Sequence, residues 1–229
     1  MGTIGAPEVF VVIAAYNEAD VIRPVVDSVF AACSKVVVVD DASVDGTADA
    51  LRDSSACVLH HCVNRGQGAA LQTGIEFALS QGADVVVTFD ADGQHDPREI
   101  PKIVAPILAG ECDVTLGSRF LGRAVGIPLF RKMVLKAGIL FTRFFSRIRV
   151  TDIHNGFRAL SARAASRIHL HMDRMAHASE ILDQIRLSGL SYREVPVTVR
   201  YTTYSIGKGQ SSWNAFKIAF ELVLRRRLE

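Results

Sequence analysis

Two aspartates one residue apart, Asp90 and Asp92, end a run of β-formers, Val85-Val86-Val87-Thr88-Phe89. Carboxylates at i and i+2 of a strand point the same way. Side by side and unpaired they repel, and each raises the other's pKa. A bound divalent cation removes that cost. Hard oxygen donors suit Mg²⁺ or Mn²⁺, ions that usually share their coordination shell with substrate phosphates. The chemistry this spacing supports is a metal clamp on a diphosphate. Asp and Gly also favour turns, so the pair alone leaves an acidic turn open as the other reading.

Three further polar clusters accompany the pair. Ala14-Ala15-Tyr16-Asn17-Glu18 follows an apolar run, and Asp40-Asp41-Ala42-Ser43-Val44-Asp45-Gly46-Thr47 follows a run of valines. Asn64-Arg65-Gly66-Gln67-Gly68-Ala69-Ala70 opens a helical pattern. Two readings stand for several of these residues. Asp41 and Ser43 shape the turn or touch a ligand, and Asp45 caps a helix beginning near Gly46 or touches a ligand. His95 is a metal ligand by chemistry, or a loop residue that orients its neighbours.

Such residues need a scaffold that gathers them at one edge. Apolar runs predict strands at Val9–Ala15, Val36–Val39, Cys57–His60, Asp84–Phe89, Val114–Gly117 and Tyr192–Val199. Helical spacing predicts helices over Ala19–Ala32, near Gly46, over Ala69–Leu79 and from Pro97, where proline suits a first turn. Two more are predicted near Ser161–Ile168 and Ser179–Leu187. Continuous apolar strands alternating with helices imply an α/β fold, a mostly parallel sheet covered on both faces. Ligands of such sheets bind at the carboxyl ends of the strands, where the polar clusters fall. The 229 residues, 49% of them hydrophobic, suffice for one domain. We read it as two halves, residues 8–120 and 121–229.

Two common nucleotide folds are excluded. A dinucleotide-binding dehydrogenase places G-x-G-x-x-G after the first strand, where this chain has Ala-Ala-Tyr-Asn-Glu, and no G-K-[ST] completes a P-loop. Instead, VVIAAYNE, VVVVDDASVDGT, NRGQGAAL, VVTFDADGQHDP and LGSRF, in that order over about the first 120 residues, resemble the inverting glycosyltransferases of family 2. That resemblance implies the nucleotide-diphospho-sugar transferase (GT-A) fold. It implies that residues 8–120 bind the nucleotide sugar and 121–229 the acceptor, with nucleotide-sugar contacts from Ala14, Tyr16, Glu18, Asp40, Gly68, Asp90, Ala91 and Asp92. It also implies a Mg²⁺ or Mn²⁺ ion on Asp90, Asp92 and Gln94. Ala14 stands where the family often has proline, and Gln67 where many members have lysine or arginine.

In the second half, GSRF, Asp152-Ile153-His154-Asn155-Gly156-Phe157-Arg158-Ala159-Leu160 and Glu194-Val195-Pro196-Val197 resemble the branch that glycosylates polyprenyl or dolichyl phosphate. His154 and Asn155 depart from the small or hydroxyl residues often seen there. A lipid phosphate is already anionic, so it needs cations rather than a general base. The candidates for that phosphate are Arg119, Arg131, Arg200 and Lys208. Glu180 sits roughly where base-using relatives keep an acid; as an acid in a helix's first turn it is equally explained by the dipole.

Charge patterning points the same way. Between Asp113 and Asp152 there is no acidic residue, whereas Arg119, Arg123, Arg131, Lys132, Lys136, Arg143, Arg147 and Arg149 all fall there. Taken as a helix, Phe130–Arg149 gathers Lys132, Lys136, Arg143 and Arg147 within about 60°. Met133, Ala137, Leu140, Phe141, Phe144 and Ile148 form an adjoining apolar arc. That is the pattern of a helix lying in a membrane interface; a helix docked on the domain is the alternative. A C-terminal helix, Ser212–Arg227, with Trp213, Phe216, Phe220, Leu224 and Arg225-Arg226-Arg227, is a second contact with the membrane, with a membrane-protein partner or with another copy of the chain. No apolar run reaches the ~18 residues of a span, and no signal peptide is visible. The expected location is cytoplasmic and peripheral, on the inner face of the membrane. A net charge of +2 gives no pull toward nucleic acid. Cys33, Cys57, Cys62 and Cys112 form no C-x-x-C pair and read as inert thiols.

Overall fold

The structure is a computed structural model that describes residues 5–127, 133, 148, 150–170, 177–202 and 204. Seven strands form one sheet in the order β3-β2-β1-β4-β6-β5-β7. They are β1 (Val9–Ala15), β2 (Val36–Asp40), β3 (Cys57–His60), β4 (Val85–Asp90), β5 (Val114–Val125), β6 (Arg158–Ser161) and β7 (Tyr192–Arg200). The helices are α1 (Ile22–Phe30), α2 (Thr47–Ala50), α3 (Gln67–Ser80), α4 (Ile100–Leu108), α5 (Ala162–Ala165) and α6 (His177–Leu187). Pro97–Glu99 forms a 3₁₀ turn before α4, and the Asp96 side chain caps it by accepting from the Arg98 amide. The expected α/β class and mostly parallel sheet are both present.

Alternation along the strands builds a core on each face. Phe10, Val12, Val37, Val39 and Val86 pack with Leu71, Ile75 and Ile181 on one side. Val11, Ile13, Val36, Val38, Val85 and Val87 pack with Ile22, Val26, Ile103 and Val104 on the other. Each fully buried valine contributes on the order of 1.5–3 kcal/mol relative to exposure. Helix α3 approaches β1 closely at Gly74, where a Cβ would lie 2.3 Å from Val12 Cγ1.

Three features depart from expectation. Strand β5 continues to Val125 because its second half pairs with β7 past an irregularity between Ser118 and Arg123. Helix α5 is a single turn. Strand β6 was not expected: it inserts antiparallel between β4 and β5, with Thr88 opposite Arg158 and Val85 opposite Ser161. Because β6 runs against its neighbours, its beginning lies at the carboxyl edge of the parallel strands. The loop before it, residues 152–157, is thereby delivered to the end of β4. The predicted helix over Phe130–Arg149 lies outside the described residues except for exposed Met133 and buried Ile148. Ser212–Arg227 lies outside them altogether. Among the described residues no helix is long and apolar enough to cross a membrane.

Candidate active site

The register of the sheet sets Ala14 beside Asp90 and Ala15 beside Asp40. The three loops that follow β1, β2 and β4 therefore share one rim, and two of them interlock. The Asn17 amide donates to Ser43 Oγ (2.9 Å), the Glu18 amide to Thr47 Oγ1 (2.8 Å), and the Val44 amide to Asn17 Oδ1 (2.9 Å). Asn17 and Ala42 adopt positive φ of 54° and 59°, a strain that this mesh offsets. Asp45 Oδ1 accepts from the Thr47 amide (2.9 Å), making an Asx turn before α2, whose cap residue is Gly46.

Asp40 and Asp41, both buried, divide their work. Asp41 accepts from the Arg65 and Gly66 amides at 2.9 and 2.6 Å and meets His61 Nδ1 at 2.7 Å, which anchors the start of α3. Asp41 is thus a turn-shaping residue. Asp40 takes the Ser43 amide (3.1 Å) on Oδ1 and faces the half-exposed His60 across 3.3 Å on Oδ2. Tyr16 stands at the same rim, 44% exposed. Gly68 is buried in the first turn of α3 and Ala91 is buried between Asp90 and Asp92. Glu18 accepts a hydrogen bond from Tyr204 (2.7 Å), which brings the chain beyond β7 onto this rim.

Asp90 is held on several sides. Oδ2 meets His95 Nε2 at 2.9 Å and Oδ1 accepts from Gln67 Nε2 at 3.2 Å. Burial works against its charge, but the His95 hydrogen bond, with the positive field of His177 and Arg158, outweighs this and keeps its pKa below the ordinary value. Asp92 has the opposite environment. Burial first, then the charges of Asp90 and Glu18, push it up to about 6, although the Gln94 amide donates to its Oδ1 at 3.0 Å. Gln94 is buried, and its carbonyl accepts from the Arg200 amide (2.8 Å).

The donor set suits a hard divalent ion. Among the described residues no three His, Cys, Asp or Glu side chains form a metal-holding group. Asp90 and Asp92 are the two carboxylates placed together at this rim, with the remaining ligands left to phosphate and water. Burial and the neighbouring charges of Asp90 and Glu18 disfavour the Asp92 carboxylate, a cost that such an ion would offset. Asp90, already hydrogen-bonded on both oxygens, is the more constrained of the two.

Arg119 departs from its expected role as a free phosphate contact. It is buried, with Nε 2.6 Å from Asp152 Oδ2 and Nη1 donating to the Tyr201 hydroxyl at 2.5 Å. The pair ties β5 to the 152–158 loop. Arg200 sits at the end of β7, half exposed, with Nη2 3.8 Å from Asp96. Glu180 lies half-buried in the first turn of α6, one turn after His177, whose charge acts on Asp90. Arg131 and Lys208 lie outside the described residues.

The site also contains residues whose part in it was not foreseen. Arg158, buried, donates to the carbonyls of Asn155 (2.9 Å) and Ile153 (2.8 Å). Burial pushes its pKa down to about 10 against the pull of Asp90 and Asp152. Gln67 presents a neutral amide to Asp90 where a cation is common in the resembled family. Only the G-F-R-A spelling around Arg158 pointed to that loop, and it carried no sign of what the arginine touches.

Comparison with known proteins agrees with this geometry. The family model described as Glycosyl transferase family 2 matches residues 10–169. An uncharacterized protein of Methanocaldococcus jannaschii is 36% identical over 97% of this chain and 94% of its own length. The UDP-N-acetylglucosamine–dolichyl-phosphate N-acetylglucosaminyltransferase of Methanococcus voltae is 31% identical over 94% and 95%. The undecaprenyl-phosphate mannosyltransferase of Micrococcus luteus is 34% identical over 78% and 76%. Among solved structures, glucosyl-3-phosphoglycerate synthase of Mycobacterium tuberculosis with Mn²⁺ and UDP-glucose superposes with a TM-score of 0.73 at 20% identity, covering 95% of this chain and 77% of that one. That likeness shows the GT-A fold.

Proposed function

This chain belongs to glycosyltransferase family 2, and on that premise we propose that it moves a hexose from a UDP- or GDP-sugar to a polyprenyl or dolichyl phosphate, with inversion and with Mg²⁺ or Mn²⁺. The observation that carries the lipid acceptor is the length of the matches. Relatives named for dolichyl and undecaprenyl phosphate align over most of this chain, beyond the nucleotide-binding half. The 152–158 loop, which resembles that branch, abuts Asp90 in the fold.

In this reading Tyr16, Glu18 and Asp40 line the nucleoside end, with Ala14, Gly68 and Ala91 as close backbone neighbours. Asp90, Asp92 and Gln94 would hold the ion, which when bound neutralises the leaving diphosphate. An acceptor phosphate oxygen forms the new bond to the anomeric carbon from the face opposite the donor diphosphate. The old carbon–oxygen bond breaks, and its electron pair leaves with the nucleoside diphosphate. No proton has to be removed from the acceptor, so no base is required. Arg200, Arg131 and Lys208 are the cations that position it, and Arg119 acts through Asp152. The acid-free segment after Val125 brings the enzyme to an anionic membrane surface on the cytoplasmic side.

The test is transfer of radiolabelled sugar from a panel of UDP- and GDP-sugars into an organic-extractable product with a short polyprenyl phosphate, with and without Mn²⁺. Metal-dependent label in the lipid phase, with one equivalent of nucleoside diphosphate released, is expected. Release of nucleoside diphosphate only when a saccharide replaces the lipid would overturn the lipid acceptor.

A further inference from the structure

We infer that His95 is a positioning residue of the transfer reaction, set by the fold to hold the Asp90 carboxylate in one orientation, and not itself a metal ligand. The inference rests on the metal-dependent reading above. Its side chain is 2% exposed, and Nε2 lies 2.9 Å from Asp90 Oδ2. The other ring nitrogen, Nδ1, is buried with no hydrogen-bond partner. A ring that leaves one nitrogen unsatisfied in the core accepts a cost. Here the side-chain hydrogen bond it makes is with Asp90.

The ring cannot turn to serve another purpose. It packs edge-on against Phe89 with centroids 5.5 Å apart and tilted on Phe157 at 5.3 Å, and these two phenylalanines meet each other at 5.2 Å. Phe89 comes from β4, and Phe157 from the loop before β6. The His95 backbone bridges to Val199 of β7. Two separate stretches of chain therefore pack on the imidazole, and a third pairs with its backbone. With Nε2 given to Asp90 and Nδ1 facing the interior, neither nitrogen is left for an ion.

Asp90 needs such a device. Asp92 lies two residues away in the same acidic rim as Glu18, and their repulsion would swing an unrestrained carboxylate aside. His95 fixes Oδ2 and Gln67 fixes Oδ1. Groups that orient a metal-binding carboxylate without touching the metal are commonly worth about 10–100-fold in affinity or rate.

Two substitutions in the full-length protein separate positioning from packing. His95→Phe keeps an aromatic ring among Phe89 and Phe157 but removes the donor. His95→Gln loses the ring but can return an amide N–H near the place of Nε2. Mn²⁺ affinity, followed by the EPR signal of free Mn²⁺ in the presence of UDP or GDP, is measured together with the melting temperature in chelator and with turnover. Positioning predicts that His95→Phe stays folded while Mn²⁺ binding weakens about 10–100-fold, and that His95→Gln recovers most of the affinity. A packing role predicts the reverse order, with His95→Phe near wild type and His95→Gln impaired. That order, equal losses in both variants, or no loss in either, overturns the assignment. A wild-type protein that binds no Mn²⁺ overturns the metal reading itself and the assignment with it; normal wild-type binding with an unaltered His95→Phe variant overturns the assignment alone.

Discussion

Gly156 lies against the Asp90 carboxylate: a Cβ at residue 156 would come within 2.3 Å of Oδ1 and 2.5 Å of Oδ2. Thr88 reinforces the contact by donating from Oγ1 to the Gly156 carbonyl at 2.6 Å. A residue of the 121–229 half thus forms one wall around a residue of the 8–120 half. The loop that resembles the lipid-phosphate branch is thus in direct contact with the Asp90 carboxylate at the end of β4.

Gly156→Ala is expected to push Asp90 out of place. Overpacking of this kind costs about 1–3 kcal/mol, and turnover should fall at least ~10-fold through the displaced carboxylate. Thermal melts of Gly156→Ala, Asp90→Ala and the double variant check the cause. If the clash is with Asp90, the alanine at 156 destabilises the Asp90→Ala background less than the wild type.

Asp92→Asn removes a charged ligand while keeping the shape. Turnover should fall at least ~100-fold, equivalent to about 2.7 kcal/mol of transition-state stabilisation. Stability should move the other way. Asp92 titrates at about 6 in the fold against an ordinary 3.8. As pH rises through that interval the unfolded chain releases its proton first, so the metal-free fold loses stability. Asparagine has no proton to lose. In chelator the variant should melt at or above the wild-type temperature at about pH 7.5, and the two should converge near about pH 4. A variant that melts well below wild type at the higher pH would contradict the repulsion argued for this pair.

The buried Arg119–Asp152 pair makes a separate prediction. Removing one partner strands the other's charge in the core, at about 3–5 kcal/mol. Arg119→Met and Asp152→Asn should each lower the denaturation midpoint by an amount of that order. The double variant should be closer to wild type than the sum of the two. Additive losses in denaturant titrations would show that the two groups act independently.

The acceptor is tested by Glu180 and Arg131. With a lipid phosphate as nucleophile, Glu180→Gln should keep most of its turnover. Arg131→Ala should lose much of it, since charge-assisted contacts to phosphate are worth about 1.5–3 kcal/mol. With a saccharide hydroxyl the order reverses, because loss of a general base costs ~10²–10⁴ in rate. Both variants are assayed at saturating donor. A folded, donor-binding Glu180→Gln enzyme that is dead on polyprenyl phosphate would sink the base-free reaction.

Membrane contact through the basic segment should depend on salt, because the attraction reaches about one Debye length. Replacing Lys132, Lys136, Arg143 and Arg147 by glutamine should weaken co-sedimentation with anionic vesicles at low salt. Identical pelleting of variant and wild type would assign those residues to packing or solvation instead.

Much of the donor side was legible in the amino-acid sequence by itself. A parallel strand covered on both faces stays apolar until it leaves the sheet. The first polar residues after Val39 and Phe89 therefore mark the carboxyl rim, which puts Asp40, Asp90 and Asp92 there. The division of a valine run such as Val36–Val39 between two cores follows from the same period of two. What the tertiary structure decided was which distant residues meet at that rim. Arg158-Ala159-Leu160-Ser161 is too short to announce a strand, and its arginine argues locally against burial. The turn of its own loop supplies the carbonyls of Ile153 and Asn155, and insertion between β4 and β5 adds the field of Asp90; together they make a buried guanidinium tolerable. Arg119 looked like a free cation because Asp152, its partner 33 positions away, is adjacent only once β5 and the 152–158 loop are side by side. His95, Gln67 and Gly156 converge on Asp90 for the same reason: periodicity reports which face a residue takes, whereas partners across a sheet depend on the order in which the strands are laid down.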